Sequence, residues 1–384
     1  MSQWPMVKLG ELISKASVKK AGESNLPILS MTMHEGLVLQ SDRFSKRIAS
    51  KSTANYQVVG KNQLVVGFPI DEGVLDIQTL ANEAIVSPAY KIWTINDTTK
   101  VFPDFLRLYL RSNRALAFYS LKLRGTTARR RALPDDIFLS MPVILPPLEE
   151  QRRIAQVLTQ TSLNISNTKQ RIDLLNTICR TPIFANPSRP STELKEYIRT
   201  ISTGKSVKDT SDPNSGNKIL KISAVTSGFF KGNETKYLPV EYSPKESHAV
   251  DYGDLLVSRA NTSEMICASA LVDQEESNVF LPDKLWKIIP AKDVSKEAIW
   301  HLLQLPTIRK RMSQVATGSS GSMKNISQRS FLKVEVPDLT LSEISSITEV
   351  VKRILSTRKL LLKKLTLLEE LHQSLATRAF AGQL

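Results

Sequence analysis

The chain is poor in the residues from which disulfide frameworks and structural zinc sites are built. Among 384 residues it has only two cysteines, Cys179 and Cys267, and neither lies in a CxxC pair. Disulfide-rich secreted domains and zinc fingers both need more cysteines at closer spacing. No apolar run reaches about 18 residues, and residues 1–17 lack the apolar core of a signal peptide. We therefore expect a cytoplasmic protein that has no membrane partner.

Residue combinations typical of catalysis are also missing. Gly204-Lys205-Ser206 ends like a phosphate-binding loop, but Arg199 stands where that loop needs its first glycine. Ser87-Pro88-Ala89-Tyr90 is similar to the loop with which amino-methyltransferases hold a flipped base, but Ala89 replaces the second proline. The four histidines are scattered without metal-ligand spacing, and no serine lies in a GxSxG elbow. The sequence thus predicts no catalytic, cofactor-binding or metal-binding residues.

What the sequence does contain is an internal repeat of about 190 residues. Residues of the first half recur 193 positions later, among them the pairs Leu148 and Leu341, Glu150 and Glu343, Ile154 and Ile347, Val157 and Val350, Trp93 and Trp286, and Gly125 and Gly318. A slightly different shift, as insertions would require, matches residues 64–66 with 255–257. Two large copies indicate pseudo-twofold symmetry, as when one chain imitates a homodimer.

The charge of the chain points to a polyanionic partner. Its net charge is +15 and its isoelectric point is about 9.7. An excess of lysine and arginine attracts nucleic acid through its phosphates. With 41% apolar residues, the chain is also long enough for more than one domain with its own core.

The hydrophobic pattern alternates between two kinds of segment. Residues 1–147 and 193–338 have short apolar runs broken by Gly, Pro, Asn and Asp, which predict strands and turns. Residues 148–192 and 339–384 each begin with a segment that repeats by sevens, which predicts a long helix. We expect an α+β fold in which two similar α/β domains are separated by two long helices, packed as an antiparallel coiled coil with pseudo-twofold symmetry.

The heptads identify the residues that should pack the two long helices together. These residues are Ile154, Leu158, Ile165, Ile172, Leu175, Ile347, Ile354, Leu361, Leu368 and Leu375. Thr161 and Thr168 fall in the same rows and weaken the first seam. The basic face that contains Arg358 and Lys359 is either solvated or directed at an anion.

Two motifs carry a resemblance to a known family. Residues 145–154, LPPLEEQRRI, resemble the PPLxEQxxI signature of the specificity subunits of type I restriction–modification systems. Residues 367–384, LLEELHQSLATRAFAGQL, resemble that family's LxxLxxSLxxxAFxGxL ending. The second copy of the first signature, residues 336–344, lacks the double proline and the glutamine. The resemblance therefore does not extend to the start of the second helix or to a partner contact made there by a glutamine.

The resemblance implies a DNA-reading subunit without catalysis of its own. It implies two target recognition domains, 1–147 and 193–338, each reading half of a split, non-palindromic site on double-stranded DNA. The regions 148–192 and 339–384 would contain the two spacer helices. It also implies that two modification (methyltransferase) subunits carrying S-adenosylmethionine, and ATP-dependent restriction subunits, dock on the chain.

Loops that follow strands are the candidates for contact with DNA, because their amides and guanidinium groups can reach phosphates and base edges. In the first half these residues are Arg124, Gly125, Thr126, Thr127, Arg129, Arg130 and Arg131. In the second half they are Ser258, Arg259, Asn261, Thr262, Gly318, Ser319, Ser320 and Lys324. Residues 67–73 are the first-half counterpart of the 258–262 loop. A plain surface turn with basic flanks is the alternative interpretation.

Two other functions remain open on the sequence alone. One is a stand-alone DNA methyltransferase or nuclease with an unrecognised site, and the other is a coiled-coil adaptor that binds proteins. The adaptor would show no steep salt dependence of DNA binding, whereas release of counterions from DNA requires one.

Overall fold

The computed structural model of the chain describes residues 4–33, 35–43, 53–123, 133–184, 188–207, 216–318 and 323–383. The chain divides into two compact units, of which unit 1 comprises residues 1–167 and 365–384 and unit 2 residues 168–364. Two long helices, Leu148–Ile178 and Leu341–Ala381, each contribute one part to each unit. No helix among the described residues is long and apolar enough to cross a membrane.

Unit 1 is built from short strands and short helices. Its strands are β1 (Met6–Lys8), β2 (Ile13–Lys15), β3 (Leu29–Thr32), β4 (Gly36–Leu39), β5 (Gln57–Gly60), β6 (Leu64–Val66), β7 (Leu75–Ile77), β8 (Glu83–Val86), β9 (Lys91–Ile95) and β10 (Pro142–Ile144). Its helices are α1 (Leu9–Leu12), α2 (Gln40–Arg43), α3 (Pro103–Leu110), α4 (Asn113–Lys122), α5 (Asp135–Leu139) and the first part of α6 (Leu148–Ile178). The end of the second long helix completes it.

The central sheet of unit 1 has the strand order β2-β9-β6-β7, with every neighbour antiparallel. Leu64 and Trp93 pack into the core that contains α3 and α4, whereas Val65 and Ile92 pack into a second core with β3, β5 and β8. Because both faces of β6 are buried, its sequence is a continuous apolar run and does not alternate with polar residues.

Unit 2 repeats this plan. Its strands are β11 (Ser191–Glu193), β12 (Ile198–Thr203), β13 (Lys218–Leu220), β14 (Thr235–Tyr237), β15 (Leu255–Ser258), β16 (Ala260–Asn261), β17 (Ser269–Leu271), β18 (Val279–Phe280), β19 (Leu285–Pro290), β20 (Lys324–Asn325) and β21 (Glu335–Pro337). Its helices are α7 (Lys296–Gln304), α8 (Pro306–Val315), α9 (Gln328–Leu332) and the first part of α10 (Leu341–Ala381). The central sheet has the order β12-β19-β15-β17, strand for strand that of unit 1.

The strand register corrects one detail of the predicted repeat. Leu64 lies opposite Trp93 in unit 1, and Val257 lies opposite Trp286 in unit 2. Both strands of this pair therefore obey the same shift of 193, and the match of residues 64–66 with 255–257 is wrong. A two-residue slip keeps the same side chains facing the core, so the alternation of apolar residues alone does not exclude it.

The long helices pair in the antiparallel sense within each unit. In unit 1 the first part of α6 lies against the end of α10, where Thr161 Oγ1 and His372 Nδ1 are 2.7 Å apart. In unit 2 the end of α6 lies against the first part of α10, where Arg358 Nε donates to Asn176 Oδ1 at 2.9 Å. The predicted α+β fold with two antiparallel long helices is confirmed.

Most of the predicted seam is buried. Ile154, Leu158, Ile172, Ile347, Ile354 and Leu361 are at most 8% exposed, and Ile165, Leu175, Leu368 and Leu375 are half-buried. Thr161 and Thr168 are buried as well. The Thr161 hydroxyl donates to the Leu158 carbonyl at 2.9 Å. A buried threonine whose hydroxyl is bonded to its own helix costs the seam little.

The two long helices begin differently. Gln151 is fully buried, accepts from Phe102 N at 2.8 Å, and donates to the carbonyls of Lys100 and Pro146, also at 2.8 Å. The glutamine of the signature therefore ties unit 1 together, and its side chain is not left for a partner. The second helix starts at a capping box instead, since Thr340 N donates to Glu343 and Glu343 N to Thr340 Oγ1.

We expect Gln151→Ala to lower the free energy of unfolding by about 2–3 kcal/mol, because it leaves one buried and two part-buried backbone groups without partners. The midpoint of urea unfolding measures this change. Gln156→Ala is the matched control, because Gln156 is exposed on the same helix and its loss should leave the midpoint unchanged. Equal midpoints for the two variants would contradict the structural role of Gln151.

Candidate nucleic-acid interface

The structure brings the two candidate loops of unit 2 together. β16 pairs with β20 in the antiparallel sense, with Ala260 opposite Asn325 and Asn261 opposite Lys324. Thr317 and Asn325 exchange two backbone hydrogen bonds of 2.8 Å, so the 317–325 loop closes on itself beside the 258–262 loop. The sequence predicted the two loops as separate candidates for DNA contact. The pairing of β16 with β20 places them at one edge of the unit.

A glycine permits the close approach of residues 318 and 323. Gly318 has φ +146°, and a Cβ atom there would lie 2.7 Å from the carbonyl oxygen of Met323. A larger residue would therefore open the loop. Lys324 Nζ donates to the Ser313 carbonyl at 3.3 Å, which holds this amine against α8. Ser319 and Ser320 lie outside the described residues.

The backbone around Arg259 is fixed from two sides. Arg259 N donates to the Lys284 carbonyl, and the Arg259 carbonyl accepts from Ile326 N, both at 3.0 Å. The Thr262 carbonyl accepts from the amides of Met265 and Ile266, so the chain turns immediately afterwards. These bonds set the direction in which the side chains of residues 258–262 leave the sheet.

Three polar groups in this segment are buried without a hydrogen-bond partner among the described residues. They are Ser258 Oγ, Arg259 Nε and Asn261 Nδ2. Asn261 Oδ1 already accepts from Thr262 N at 2.9 Å, so the amide nitrogen remains as a donor. Buried polar groups in native proteins are nearly always bonded, so three unpartnered groups within four residues make this segment a candidate for contact with a ligand.

The first-half counterpart is described only in part. Arg124, Gly125, Thr126, Thr127, Arg129, Arg130 and Arg131 lie outside the described residues. The flank that follows them is described, since Leu133 and Asp135 line a small cavity together with Gly67 and Phe68. In unit 1, therefore, the described residues 133 and 135 lie beside the residues that follow β6.

The incomplete motifs around Gly204 and Ser87, which do not predict catalysis, have structural roles. A Cβ atom at Gly204 would lie 1.8 Å from the Leu281 carbonyl oxygen, so this glycine permits close packing of the backbone after β12. The turn Ser87-Pro88-Ala89-Tyr90 is held by Gln57 Nε2, which donates to the carbonyls of Ser87 and Tyr90. Burial lowers the pKa of His301 to about 4. Among the described residues no group of three His, Cys, Asp or Glu side chains is placed to hold a metal ion.

Two basic residues of α10 are engaged within unit 2, contrary to both expectations for the basic face. The Arg358 guanidinium stacks 3.7 Å from the centroid of the Phe229 ring. Lys359 Nζ donates to the Asp273 carbonyl at 2.9 Å. Sequence spacing gives no signal for either contact, because both partners lie about a hundred residues earlier in the sequence and come close only in the folded unit.

Comparisons with known proteins agree with the motifs. A family model for the DNA specificity domain of type I restriction–modification systems matches residues 1–177. The chain is 27% identical over 268 residues to the specificity subunit of the type I restriction enzyme EcoKI from Escherichia coli K12. It is 24% identical over 266 residues to that of MjaVIII from Methanocaldococcus jannaschii. Each match covers 62% of this chain, but only 57% and 62% of those two relatives.

Solved structures show the same fold over nearly the whole chain. The S subunit of a type I system from M. genitalium covers 99% of this chain and 96% of its own, with a TM-score of 0.62 and 11% identity. A structure concerned with the assembly and conformational transition of the type I R-M system covers 99% of this chain and 98% of its own, with a TM-score of 0.51 and 15% identity.

Two buried serines test whether a polar group of this segment is left unpaired in the folded chain. Ser258 and Ser269 are both fully buried, but Ser258 Oγ has no partner in the described part of the chain, whereas Ser269 Oγ accepts from Gln304 Nε2 at 3.0 Å. Ser258→Ala should raise the free energy of unfolding by about 1 kcal/mol, and Ser269→Ala should lower it by about 1–2 kcal/mol. Urea titrations measure both changes. A loss of stability in Ser258→Ala equal to that in Ser269→Ala would contradict the interpretation that the Ser258 hydroxyl is left unpaired in the folded chain.

Proposed function

We propose that the chain is a member of the family of type I restriction–modification specificity subunits and acts as the non-catalytic DNA-reading subunit of such a complex. It recognises a bipartite, non-palindromic site on double-stranded DNA. Residues 1–147 and 193–338 are the two target recognition domains, and the helical regions 148–192 and 339–384 separate them. The observation that carries this function is the segment 258–261 at the β16–β20 edge, where three buried polar groups have no hydrogen-bond partner among the residues that the structure describes.

The edge suits direct reading of bases. A guanidinium group can donate two hydrogen bonds to O6 and N7 of guanine, and Arg259 is anchored through its backbone to present one. Asn261 Nδ2 is a donor for a base acceptor, since its amide oxygen already binds Thr262 N. The Arg259 and Asn261 side chains are partly exposed and can reach a base, whereas Ser258 is fully enclosed and cannot.

The glycine and hydroxyl loops suit the phosphate backbone. Thr262, Gly318 and Lys324 lie at or next to the β16–β20 pair, Ser319 and Ser320 follow Gly318 in the sequence, and the segment 124–131 contains four arginines. Backbone amides, hydroxyls and arginines are the groups that most often bind phosphate in protein–DNA complexes. The net charge of +15 supports the same assignment, because it draws the chain toward DNA before any base is read.

The two half-sites differ because the two edges differ. The shift of 193 places Val66 and Phe68 of unit 1 at the positions of Arg259 and Asn261 of unit 2. An arginine and an asparagine read hydrogen-bonding groups, whereas a valine and a phenylalanine have none to offer. A chain with such unequal edges reads an asymmetric site.

Exposed apolar pairs on the long helices support the docking of two modification subunits. In unit 1, Leu367 is 56% and Leu371 48% exposed on α10. In unit 2, Leu174 is 60% and Ile178 40% exposed on α6. The shift of 193 makes these two pairs equivalent. Paired apolar residues left on a helix surface favour contact with another helix, and two equivalent pairs favour two copies of one partner. Restriction subunits complete the proposed assembly.

Substitution of a base-reading arginine and of phosphate-binding arginines should affect DNA binding in different ways. Arg259→Met should cost about 1–3 kcal/mol of discrimination at one base pair and leave binding to random DNA unchanged. Replacing Arg129, Arg130 and Arg131 together by alanine should weaken cognate and random duplexes alike. It should also reduce the slope of log K against log salt by up to about 3. Binding titrations at several salt concentrations, with the modification partner present, measure both effects.

The controls for this experiment lie in the chain itself. Lys359→Met removes a charge that is bound to the Asp273 carbonyl. It should leave specificity unchanged, and it should change the salt slope by no more than the value of one phosphate contact. Unchanged affinity and slope in the triple variant would remove the 124–131 loop from the interface. Methyl transfer by the chain without a partner would favour the stand-alone methyltransferase, and salt-independent binding would favour the protein adaptor.

The long helices should act as a ruler for the gap between half-sites. Deleting residues 165–171 from α6 and 362–368 from α10 removes one member from each heptad row and keeps the seam in phase. Seven residues of helix span about 10 Å, so the gap should shorten by about three base pairs. Methylome sequencing of a host with the altered operon measures the gap. An unchanged gap would refute the ruler.

A further inference from the structure

Phe68 is an aromatic side chain exposed at the edge where unit 1 should meet DNA. Its side chain is 48% exposed, although phenylalanine is usually buried. The strand register gives it the position that Asn261 holds in unit 2, since Leu64 and Val257 face equivalent tryptophans. Phe68 therefore occupies a reading position without a hydrogen-bonding group.

The exposure of Phe68 is imposed by a closed hairpin. Gly67 N donates to the Val74 carbonyl at 2.8 Å, and Gly73 N donates to the Ile70 carbonyl at 3.0 Å. A Cβ atom at Gly67 would lie 3.0 Å from Val74 Cγ1 and 3.3 Å from Tyr90, so the two arms approach closely. Ile70 is 6% exposed and anchors the hairpin in the core. Phe68 thus projects from a rigid support.

The surroundings of Phe68 carry positive charge. Leu133 and Asp135, which directly follow the 124–132 segment, line the same small cavity as Phe68. Asp135 binds Lys91 Nζ at 2.6 Å and Lys15 Nζ at 3.5 Å. Two lysines around one carboxylate leave a net positive charge beside the aromatic ring. A positive edge with an apolar tip is suited to a DNA groove in which the phosphates lie on both sides.

We propose that Phe68 reads a thymine in the half-site of unit 1 by packing against its C5-methyl group in the major groove. The methyl is the one apolar group that a base pair offers on its major-groove edge, and phenylalanine is one of the residues that contact it. The inference rests on the proposed function, and it names a base type that the hydrogen-bonding residues of unit 2 do not select.

The test replaces thymine by uracil, which removes only that methyl group. Arg259→Met first identifies the half-site of unit 2, and the other half-site belongs to unit 1. Each thymine of that half-site is then changed to uracil in turn, and binding by the assembled complex is titrated. With the unaltered chain, one position should lose about fourfold in affinity, the value of one buried methyl. Phe68→Ala should bind the thymine duplex tenfold or more weakly and show no further loss with uracil.

Leu80→Ala is the matched control. Leu80 is 47% exposed in unit 1, in a turn closed by two hydrogen bonds between Gln78 and Ala81, beyond the opposite end of β7. This variant should behave like the unaltered chain, including its sensitivity to uracil. Circular dichroism of Phe68→Ala establishes that unit 1 remains folded, and Phe68→Leu, which keeps an apolar side chain, should restore part of the fourfold difference.

Three results would overturn the proposal. They are a unit 1 half-site without thymine, an unaltered chain indifferent to uracil at every position, and a Phe68→Ala variant that stays as sensitive to uracil as the unaltered chain. A rise in 2-aminopurine fluorescence that depends on Phe68 would show that the ring unstacks bases, which also excludes the methyl contact. If the unaltered complex does not prefer its methylated motif over scrambled DNA, the proposed function itself fails.

Discussion

The pairing of the central strands is the constraint on which the rest of each unit depends. In both sheets a strand with two buried faces lies beside a strand that carries a fully enclosed tryptophan, Trp93 or Trp286. A slip by one residue would turn every buried side chain of β6 or β15 to the wrong core. Because this register is fixed, the residues just beyond each strand emerge at a fixed place and angle, and those residues form the candidate interface.

The same scaffold tolerates different buried polar groups in its two copies. In unit 1, Asp76 is buried and accepts from Leu37 N at 2.8 Å and Ile77 N at 2.9 Å, and burial raises the pKa of its carboxyl. In unit 2, Lys287 binds Asp254 at 2.7 Å, and Asp254 also binds Lys296. Such a group is tolerated wherever its partners are complete, whatever those partners are. The two copies are therefore free to diverge at their polar positions while the strand order is preserved.

The periodic features of the structure were predictable from the sequence, and the features that depend on single long-range bonds were not. The heptads predicted two antiparallel helices, and the 193-residue repeat predicted two like units, because both patterns are visible in the order of the residues. The role of Gln151 depends on backbone groups about fifty residues away, and no pattern of side chains encodes them. The stacking of Arg358 on Phe229 is of the same kind. The correct match of β6 with β15 was missed, because a two-residue slip keeps the same side chains facing the core.

The unpaired polar groups of β15 and β16 set a limit on how stable unit 2 can be in the absence of its ligand. Elsewhere in the described chain, buried serines, glutamines and threonines such as Ser269, Gln304 and Thr161 have partners. Single buried groups without a partner occur elsewhere among the described residues, but Ser258, Arg259 and Asn261 are three within four residues, so the loss of stability is concentrated there. Sequence-specific reading requires such a place, because a side chain already satisfied by its own fold gains nothing from the correct base and loses nothing to the wrong one. Unit 1 meets the same requirement with an exposed aromatic ring, which gains only from an apolar partner. The two units differ most where they are expected to read, while the sheets behind them follow one plan.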